Sequence, residues 1–488
     1  MLTQIVIFGA SGDLTARKLI PALSANARQG AFPGRVQVLG VARSPKSDAA
    51  WRDELQGWLD PEDRGAWPEF APAVGYLSCD VLAPGGVTAL RERLDALAAA
   101  ADTRPDEARR LFYLALAPDL FAPVVDALAA EGLVQSPLGD PRRRVVVEKP
   151  FGRDLDSARA LNAALRRHLH EEQIFRIDHY LGKETVQNIL SFRFQNAIFE
   201  PLWNNRHVES IEISVCEKVG MEAGRGAYYD AAGALRDMVQ NHLLQVLALI
   251  AMEPPNSMDP DAVRSEKVKV LDALSPMSPD RVARDVVRAQ YAGYHTEKGV
   301  PPASETETYV AIRAAIHNWR WNGVPFLLRT GKRLEDRYTQ VVLRFRTPPV
   351  DLLQGPLPDG TCPLRPNALT LLIQPREGIR LGFLVKQPGA GVVMRPAELG
   401  FDYADLGAST VPAYQRLLLD AIKGNPTLFI RGDETEAAWR FVDAIRAGWQ
   451  HPGAPPPARY APRSRGPDEA DGLFRGCEGI WSGPEAHR

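Results

Sequence analysis

Within nine residues, "RIDHYLGKE" (Arg176–Glu184) gathers Asp178, His179, Tyr180 and Lys183. Imidazole, phenol and ammonium groups are all hydrogen-bond donors, a set suited to a phosphate dianion, whereas a carboxylate in the same place repels one. Asp178 therefore needs a different task. A second stretch, "LRDMVQNHLLQVLALIAM" (Leu235–Met252), is apolar through most of its length but opens with Asp237, Asn241 and His242. Histidine, titrating near pH ~6.5, can accept a proton at neutral pH. On an α-helix five residues turn through about 140°, which places Asp237 poorly for orienting the His242 imidazole. Asp178, with no role toward phosphate, is the candidate carboxylate for that task. Each stretch also has a plainer reading: a solvated helix start with a capping Asp for the first, and a satisfied core histidine for the second.

A glycine turn, "FGASGDLTARK" (Phe8–Lys18), follows the apolar run Ile5, Val6, Ile7. Exposed N–H groups and the helix dipole at such a turn favour anions, and Gly9 and Gly12 let a phosphate approach the backbone. Lys18 adds a point charge. The third glycine of G-x-G-x-x-G is missing, so the turn alone is equally a plain tight turn. "VQVLGVARS" (Val36–Ser44) ends in Arg43, where NAD-binding chains carry Asp or Glu for the ribose hydroxyl. A guanidinium there suits a 2′-phosphate and stacks on adenine. The two features together point to NADP as coenzyme, with NAD as the weaker alternative. Lys149 in "VVVEKPFGRDL" lies at a strand tip before Pro150, a place for a cis peptide or an ordinary Lys-Pro turn. Lys332 and Arg337 in "LLRTGKRLEDR" read by themselves as loop charges.

These residues need elements to carry them. The first third alternates strand-like runs (Gln4–Phe8, Val36–Ala42, Leu111–Leu116, Arg144–Val147) with helical ones (Leu14–Gln29, Trp51–Leu59, Leu120–Glu131). That rhythm predicts an α/β domain, a Rossmann-like doubly wound parallel sheet over residues 1–177. Beyond it, strand candidates Ser210–Cys216, Thr308–Ile316, Gln340–Phe345 and Ala368–Ile373 predict a large, mainly antiparallel β+α domain over 178–488. Helices Leu235–Met252 and Tyr414–Lys423 are expected to cover its sheet. The stretch "HPGAPPPARYAPRSRG" predicts an extended tail wrapping the surface.

Bulk properties narrow the classes. The chain has 488 residues, 45% of them hydrophobic and 24% charged, enough for two cores. A net charge of −2 supplies no basic field for nucleic acid and no polybasic membrane patch. Cys79, Cys216, Cys362 and Cys477 are scattered, so no structural metal is expected. With no signal-peptide pattern and no membrane-length apolar run, a reducing cytoplasm is the expected location.

Eight blocks occur in order: "GASGDLTARKLIPAL", "GVARS", "EKPFGRDL", "RIDHYLGKE", "IFEPLWN", "GRGAYYD", "RDMVQNHLLQ" and "PFLLRTGKRL". Together they resemble the glucose-6-phosphate dehydrogenase family, from Ile5 to about Trp439. The resemblance implies oxidation of glucose 6-phosphate at C1 to the δ-lactone, with hydride passing to NADP. That is the first step of the oxidative pentose phosphate pathway. It implies no metal, and a homodimer or dimer of dimers built through the large sheet. Carried over by position, His242 is the general base and Asp178 its carboxylate partner. His179, Tyr180 and Lys183 hold the substrate phosphate; Glu217, Asp237 and Lys332 bind sugar hydroxyls; Arg337 stands where relatives have lysine or arginine. Lys149 touches both sugar and coenzyme. Gly9, Ser11, Gly12, Asp13, Leu14 and Lys18 carry the coenzyme, and Arg43 its 2′-phosphate.

Leu372 and Gly382 stand where animal members hold a second, structural NADP with basic residues, so that site is not expected here. Two other readings compete. A sugar oxidoreductase of the glucose-fructose oxidoreductase type shares an "EKP" lysine but typically lacks "RIDHYLGKE". A non-catalytic NADP-binding sensor on the same fold is expected to lose the base or its carboxylate. Tyr294 and Lys298 fit Tyr-x-x-x-Lys by letter, but lie in a Gly/Pro-flanked segment outside the nucleotide domain.

Overall fold

The computed structural model describes residues 1–134, 141–221, 224–350, 352–353, 367–389, 391–407, 411–475 and 479–484. It divides into two compact units. The first joins Met1–Lys183 to Pro255–Ser265 and Val411–Glu436; the second joins Glu184–Pro254, Glu266–Thr410 and Ala437–Arg488. The single boundary expected at 177/178 thus becomes several crossings of the chain. Cys79 and Cys216 are free thiols, and Cys362 and Cys477 lie outside the described residues.

The first unit is built on six parallel strands: β1 (Leu2–Phe8), β2 (Arg35–Ala42), β3 (Val74–Ser78), β4 (Arg109–Leu114), β5 (Arg143–Val147) and β6 (Ile174–Ile177). Their order, β3-β2-β1-β4-β5-β6, is that of the doubly wound dinucleotide fold, whose ligand crevice opens where the order reverses between β1 and β4. All seven residues of β1 are buried, because helices cover both faces of such a sheet. Ile5 and Ile7 join Val38, Tyr113, Val146 and Phe175 in one core on one of those faces.

A short antiparallel strand, β15 (Phe429–Ile430), extends this sheet beside β6. The helix before it, Ala413–Lys423, also belongs here and not over the second sheet, where its amphipathic pattern alone suggested. Particular groups hold it. Asn26 Nδ2 donates to the Gln415 carbonyl at 3.0 Å, and Arg144 Nη1 donates to the Ala421 and Ile422 carbonyls, both at 3.0 Å. A cation on the last carbonyls of a helix satisfies otherwise unpaired acceptors and meets the negative end of its dipole.

The second unit carries a nine-stranded sheet: β7 (Val208–Cys216), β8 (Val286–Tyr291), β9 (Tyr309–Ala315), β10 (Pro325–Gly331), β11 (Tyr338–Phe345), β12 (Ala368–Gln374), β13 (Gly378–Lys386), β14 (Met394–Asp402) and β16 (Ala458–Tyr460). Pairing is antiparallel except between β7 and β10 and between β8 and β16. The parallel β7/β10 pair brings two strand ends to the same side of the sheet, Cys216 beside Gly331.

The proline-rich tail does more than wrap the surface. Residues Ala458–Tyr460 extend the sheet as β16, and Trp481 and Ser482 are buried. Sheet polar groups draw that segment in: Arg329 Nη2 and Gln340 Nε2 donate to the Ser482 carbonyl, and the Glu212 carboxylate accepts the Ser482 N–H at 2.8 Å. Tyr460 Oη donates to the Lys332 carbonyl at 2.6 Å, in a buried site. We predict that Tyr460→Phe leaves this carbonyl unsatisfied and lowers the urea midpoint, by about 1–3 kcal/mol of stability; an unchanged midpoint contradicts a tail that holds this part of the unit together.

Candidate active site

In the first unit the glycine turn leaves β1 at the switch point. Gly9 has φ +80°, and a Cβ there would stand 2.1 Å from the Ala115 carbonyl oxygen just beyond β4. The turn is pinned to the neighbouring strand by Gly9 and Ala10 N–H groups, both donating to Val41. Gly12 N–H donates to the Gly9 carbonyl at 2.9 Å. The expected helix Leu14–Gln29 divides into a π-helical turn, Thr15–Leu19, and an α-helix, Ile20–Arg28.

Ser11, Gly12, Asp13 and Lys18 are exposed and Leu14 is half-buried. Asp13 is ion-paired with Arg17 at 2.5 Å. Arg43 lies directly past the end of β2, exposed, with no hydrogen bond or ion pair to the described residues. The cradle fits a nicotinamide dinucleotide.

β6 delivers the polar cluster. Asp178 is buried directly beyond it, and its Oδ1 accepts the Tyr180 N–H at 2.9 Å, turning the chain sharply. Two more turn bonds, Leu181 N–H to Asp178 and Lys183 N–H to Tyr180, continue the coil. The Lys183 ammonium lies 4.4 Å from the Tyr180 ring centroid. His179 stacks on Tyr414, 6.4 Å apart and 7° from parallel.

Tyr414 Oη donates to Glu148 at 3.2 Å, and Tyr113 Oη donates to the same carboxylate at 2.5 Å. Burial pushes the Glu148 carboxyl above its ordinary range, against the two tyrosine hydrogen bonds. Lys149 follows it in a cis Lys149–Pro150 peptide. One buried carboxylate thus connects the Lys149 turn with the His179 ring. The motif "EKP" named its lysine, but Tyr113 and Tyr414, distant in sequence, gave no signal.

In the second unit His242 lies on a π-helix, Leu235–Leu243, that continues as an α-helix through Ala251. This segment packs against β7 and β10. Bonding from i to i+5 turns the chain less per residue than α-bonding does. The 140° offset expected from α-geometry therefore does not hold, because π-turns take more residues per revolution. His242 is buried, and Asp237 is half-buried.

At the tips of the parallel strand pair, Glu217 follows β7 and Lys332 follows β10. Glu217 N–H donates to the Gly331 carbonyl at 3.0 Å, and the Glu217 carboxylate ion-pairs with Lys332. The Lys332 ammonium also lies 5.4 Å from the Tyr229 ring centroid. Tyr229, which residue-level reasoning missed although "GRGAYYD" contains it, is buried. Its hydroxyl is held far above the usual tyrosine range by burial and by the carboxylates of Asp237, Glu307 and Glu217. Arg337 is exposed at the far end of the same loop. Tyr294 donates to Asp230 at 2.9 Å, which commits it to a structural bond.

In the first unit the structure gathers Asp178, His179, Tyr180 and Lys183 just past β6, with Lys149 just past β5 and the glycine turn just past β1. In the second, Glu217 pairs with Lys332 at the strand tips, and Asp237 and His242 share one helix packed against the same two strands. A doubly wound dinucleotide sheet joined in one chain to a large mixed sheet with such a cluster at its strand tips is the plan of a two-domain nicotinamide-dependent dehydrogenase.

Within that class, the chain belongs to the glucose-6-phosphate dehydrogenase family. Residues 6–188 match the family model "Glucose-6-phosphate dehydrogenase, NAD binding domain", and residues 190–482 match "Glucose-6-phosphate dehydrogenase, C-terminal domain". The chain is 42% identical to the glucose-6-phosphate 1-dehydrogenase of Mycolicibacterium smegmatis, over 99% of this chain and 98% of that one. It is 41% identical to that of Bacillus subtilis, over 96% of each. A solved glucose-6-phosphate dehydrogenase in complex with glucose 6-phosphate superposes with a TM-score of 0.88 at 36% identity, covering 99% of this chain and 98% of that one. The enzyme from Mycobacterium avium gives 0.82 at 36% identity, covering 99% of each. A levoglucosan dehydrogenase, at 10% identity and a TM-score of 0.50 over 92% of this chain and 97% of that one, shares the fold alone.

Gly9→Ala forces a Cβ against a carbonyl at a positive φ, so we predict a loss of about 2–4 kcal/mol in stability. Dinucleotide affinity, read by fluorescence titration of the folded variant, is expected to fall at least tenfold. Wild-type melting and affinity together contradict a turn that needs glycine.

Proposed function

We propose that this chain oxidises glucose 6-phosphate at C1 to 6-phosphoglucono-1,5-lactone and passes the hydride to NADP. The observation that carries this reading is 42% identity to a glucose-6-phosphate 1-dehydrogenase along 99% of the chain. A levoglucosan dehydrogenase shares only the fold, and a sensor on this fold is expected to lose the base or its carboxylate, whereas this sequence has both His242 and Asp178.

The coenzyme supplies the hydride acceptor. The chain's own groups do the rest. Hydride leaves C1 only as the C1 hydroxyl loses its proton, and the His242 imidazole takes that proton. Asp178 selects the His242 tautomer and stabilises the imidazolium that forms. His179, Tyr180 and Lys183 bind the phosphate, far from C1, and so spend its binding energy on aligning the sugar. Glu217, Asp237 and Lys332 take the sugar hydroxyls, and Arg337, where relatives have lysine or arginine, also contacts the substrate. Lys149 reaches sugar and coenzyme. The turn from Gly9 to Leu14, with Lys18, holds the pyrophosphate, and Arg43 holds the 2′-phosphate. No step calls for a metal.

Two further parts of the reading concern its setting. A homodimer or dimer of dimers forms through the large sheet, and the enzyme works in the cytoplasm. No helix among the described residues is long and apolar enough to cross a membrane.

Mixing the protein with glucose 6-phosphate and NADP is expected to raise NADPH absorbance, and a folded protein that gives no rise refutes the reading. His242→Asn is expected to lower kcat at least 10³-fold while substrate binding stays within a few-fold; near-wild-type turnover assigns the base elsewhere. Arg43→Ala is expected to raise KM for NADP by one to two orders of magnitude and to change KM for NAD much less. Equal losses for both coenzymes would falsify the 2′-phosphate contact.

A further inference from the structure

The helix that carries Asp237 and His242 starts abruptly, and a buried carboxylate stands at its start. Gly233 breaks the preceding helix, Gly226–Ala234, with φ +73° and ψ 167°. Immediately beyond it, Glu307 Oε1 accepts the Leu235 N–H at 2.8 Å, and the Glu307 carbonyl accepts the Ala234 N–H at 3.0 Å. The fit is close. A Cβ on Gly233 would lie 2.4 Å from that same carboxylate oxygen. Glu307 is only 7% exposed, and burial raises its carboxyl above the ordinary range.

Its neighbours extend the brace. Thr306 Oγ1 donates to the Asp230 carbonyl at 2.8 Å, and the Thr308 carbonyl accepts the Lys332 N–H at 2.9 Å. Residues 306–308 therefore anchor, at one point, the helix bearing Asp237 and His242 and the loop bearing Lys332. None of these three residues is assigned a role toward substrate.

We propose that Glu307 is a positioning residue: by fixing the first N–H of the π-helix it sets the rotation of that helix, and so aims Asp237 and His242. The physical reason is the geometry of a π-turn. Its hydrogen bonds tolerate an α-helical alternative one residue shorter per turn, and repacking from i+5 to i+4 bonding turns every later side chain about the axis. An acceptor locked to Leu235 N–H, with no room for it to shift against Gly233, holds the starting phase. A carboxylate at the positive end of the helix dipole adds to the hold. The proposal rests on the reading of Asp237 and His242 as sugar-facing residues.

The test uses the full chain and four forms: wild type, Glu307→Gln, Glu307→Asp and Glu307→Ala. Glutamine keeps an acceptor oxygen at the same reach, aspartate retracts it by one methylene, and alanine removes it. Relative to wild type, kcat with glucose 6-phosphate is expected to fall at least tenfold in the Ala variant and severalfold in the Asp variant. KM for the sugar rises severalfold, KM for NADP stays within twofold, and the Gln variant stays within threefold throughout.

A second readout does not need activity. Hydrogen exchange of peptides covering 235–243 is expected to be at least tenfold faster in the Ala and Asp variants and unchanged in Gln, with β1–β6 peptides unaffected. If wild type is inactive but the exchange pattern appears, the function reading falls and the brace stands. The proposal is overturned by wild-type exchange over 235–243 in the Asp variant, or by kcat within twofold of wild type in the folded Asp or Ala variant. Parallel loss of sugar and coenzyme binding, the mark of general destabilisation, overturns it equally. Should the Ala variant not fold, the Asp variant decides alone.

Discussion

Asp178, Glu217 and Lys332 each stand directly past the tip of a buried strand, where backbone N–H and C=O groups lose their regular partners. Burial makes an unpaired group there costly, so each tip must find a partner nearby. At β1 the Gly9 and Ala10 N–H groups find Val41. At β7 and β10 the Glu217 N–H finds Gly331, and the Lys332 carbonyl finds the Tyr460 hydroxyl. These bonds fix the backbone at the strand tips, and one of them ties a tail residue some 130 positions away to the backbone of a loop lysine.

Carboxylates recur as anchors in this scheme. Glu148 takes two tyrosine hydroxyls and links the Lys149 turn to the ring beneath His179, while Glu307 holds the start of the His242 helix. Burial raises the carboxyl pKa at both positions. For such a group the sign is unfavourable to the charge: stability falls as pH rises from the unfolded to the folded value, because the folded state binds the extra proton. Both acids therefore cost stability when ionised, a cost that makes sense where a strong acceptor is needed at one fixed point.

Much of this was legible in the chain. The βαβ rhythm led to the correct sheet class because strands buried on both faces write unbroken apolar runs, as IVIF in β1 and VVV in β5 do. The "RIDHYLGKE" cluster does stand at a strand end, and Arg43 does follow the tip of β2. Less was visible where local pattern and tertiary context disagree. Helix Ala413–Lys423 has an apolar stripe that fits either sheet, and only Asn26 and Arg144 decide which. The 140° offset taken for Asp237 and His242 did not hold because nothing in "LRDMVQNHL" distinguishes π from α bonding.

Sequence alone determined the residue types, their order in blocks and the alternation that defines the two sheets, because these follow from side-chain chemistry and periodicity. Tertiary structure decided where distant segments return: β15 to the first sheet, β16 and Trp481 to the second, Tyr414 to Glu148, and Glu307 to Leu235. The reason is physical. Periodicity reports which face of an element is buried, but not which partner buries it; that is settled by hydrogen-bond groups and shapes that meet only when the whole chain is packed.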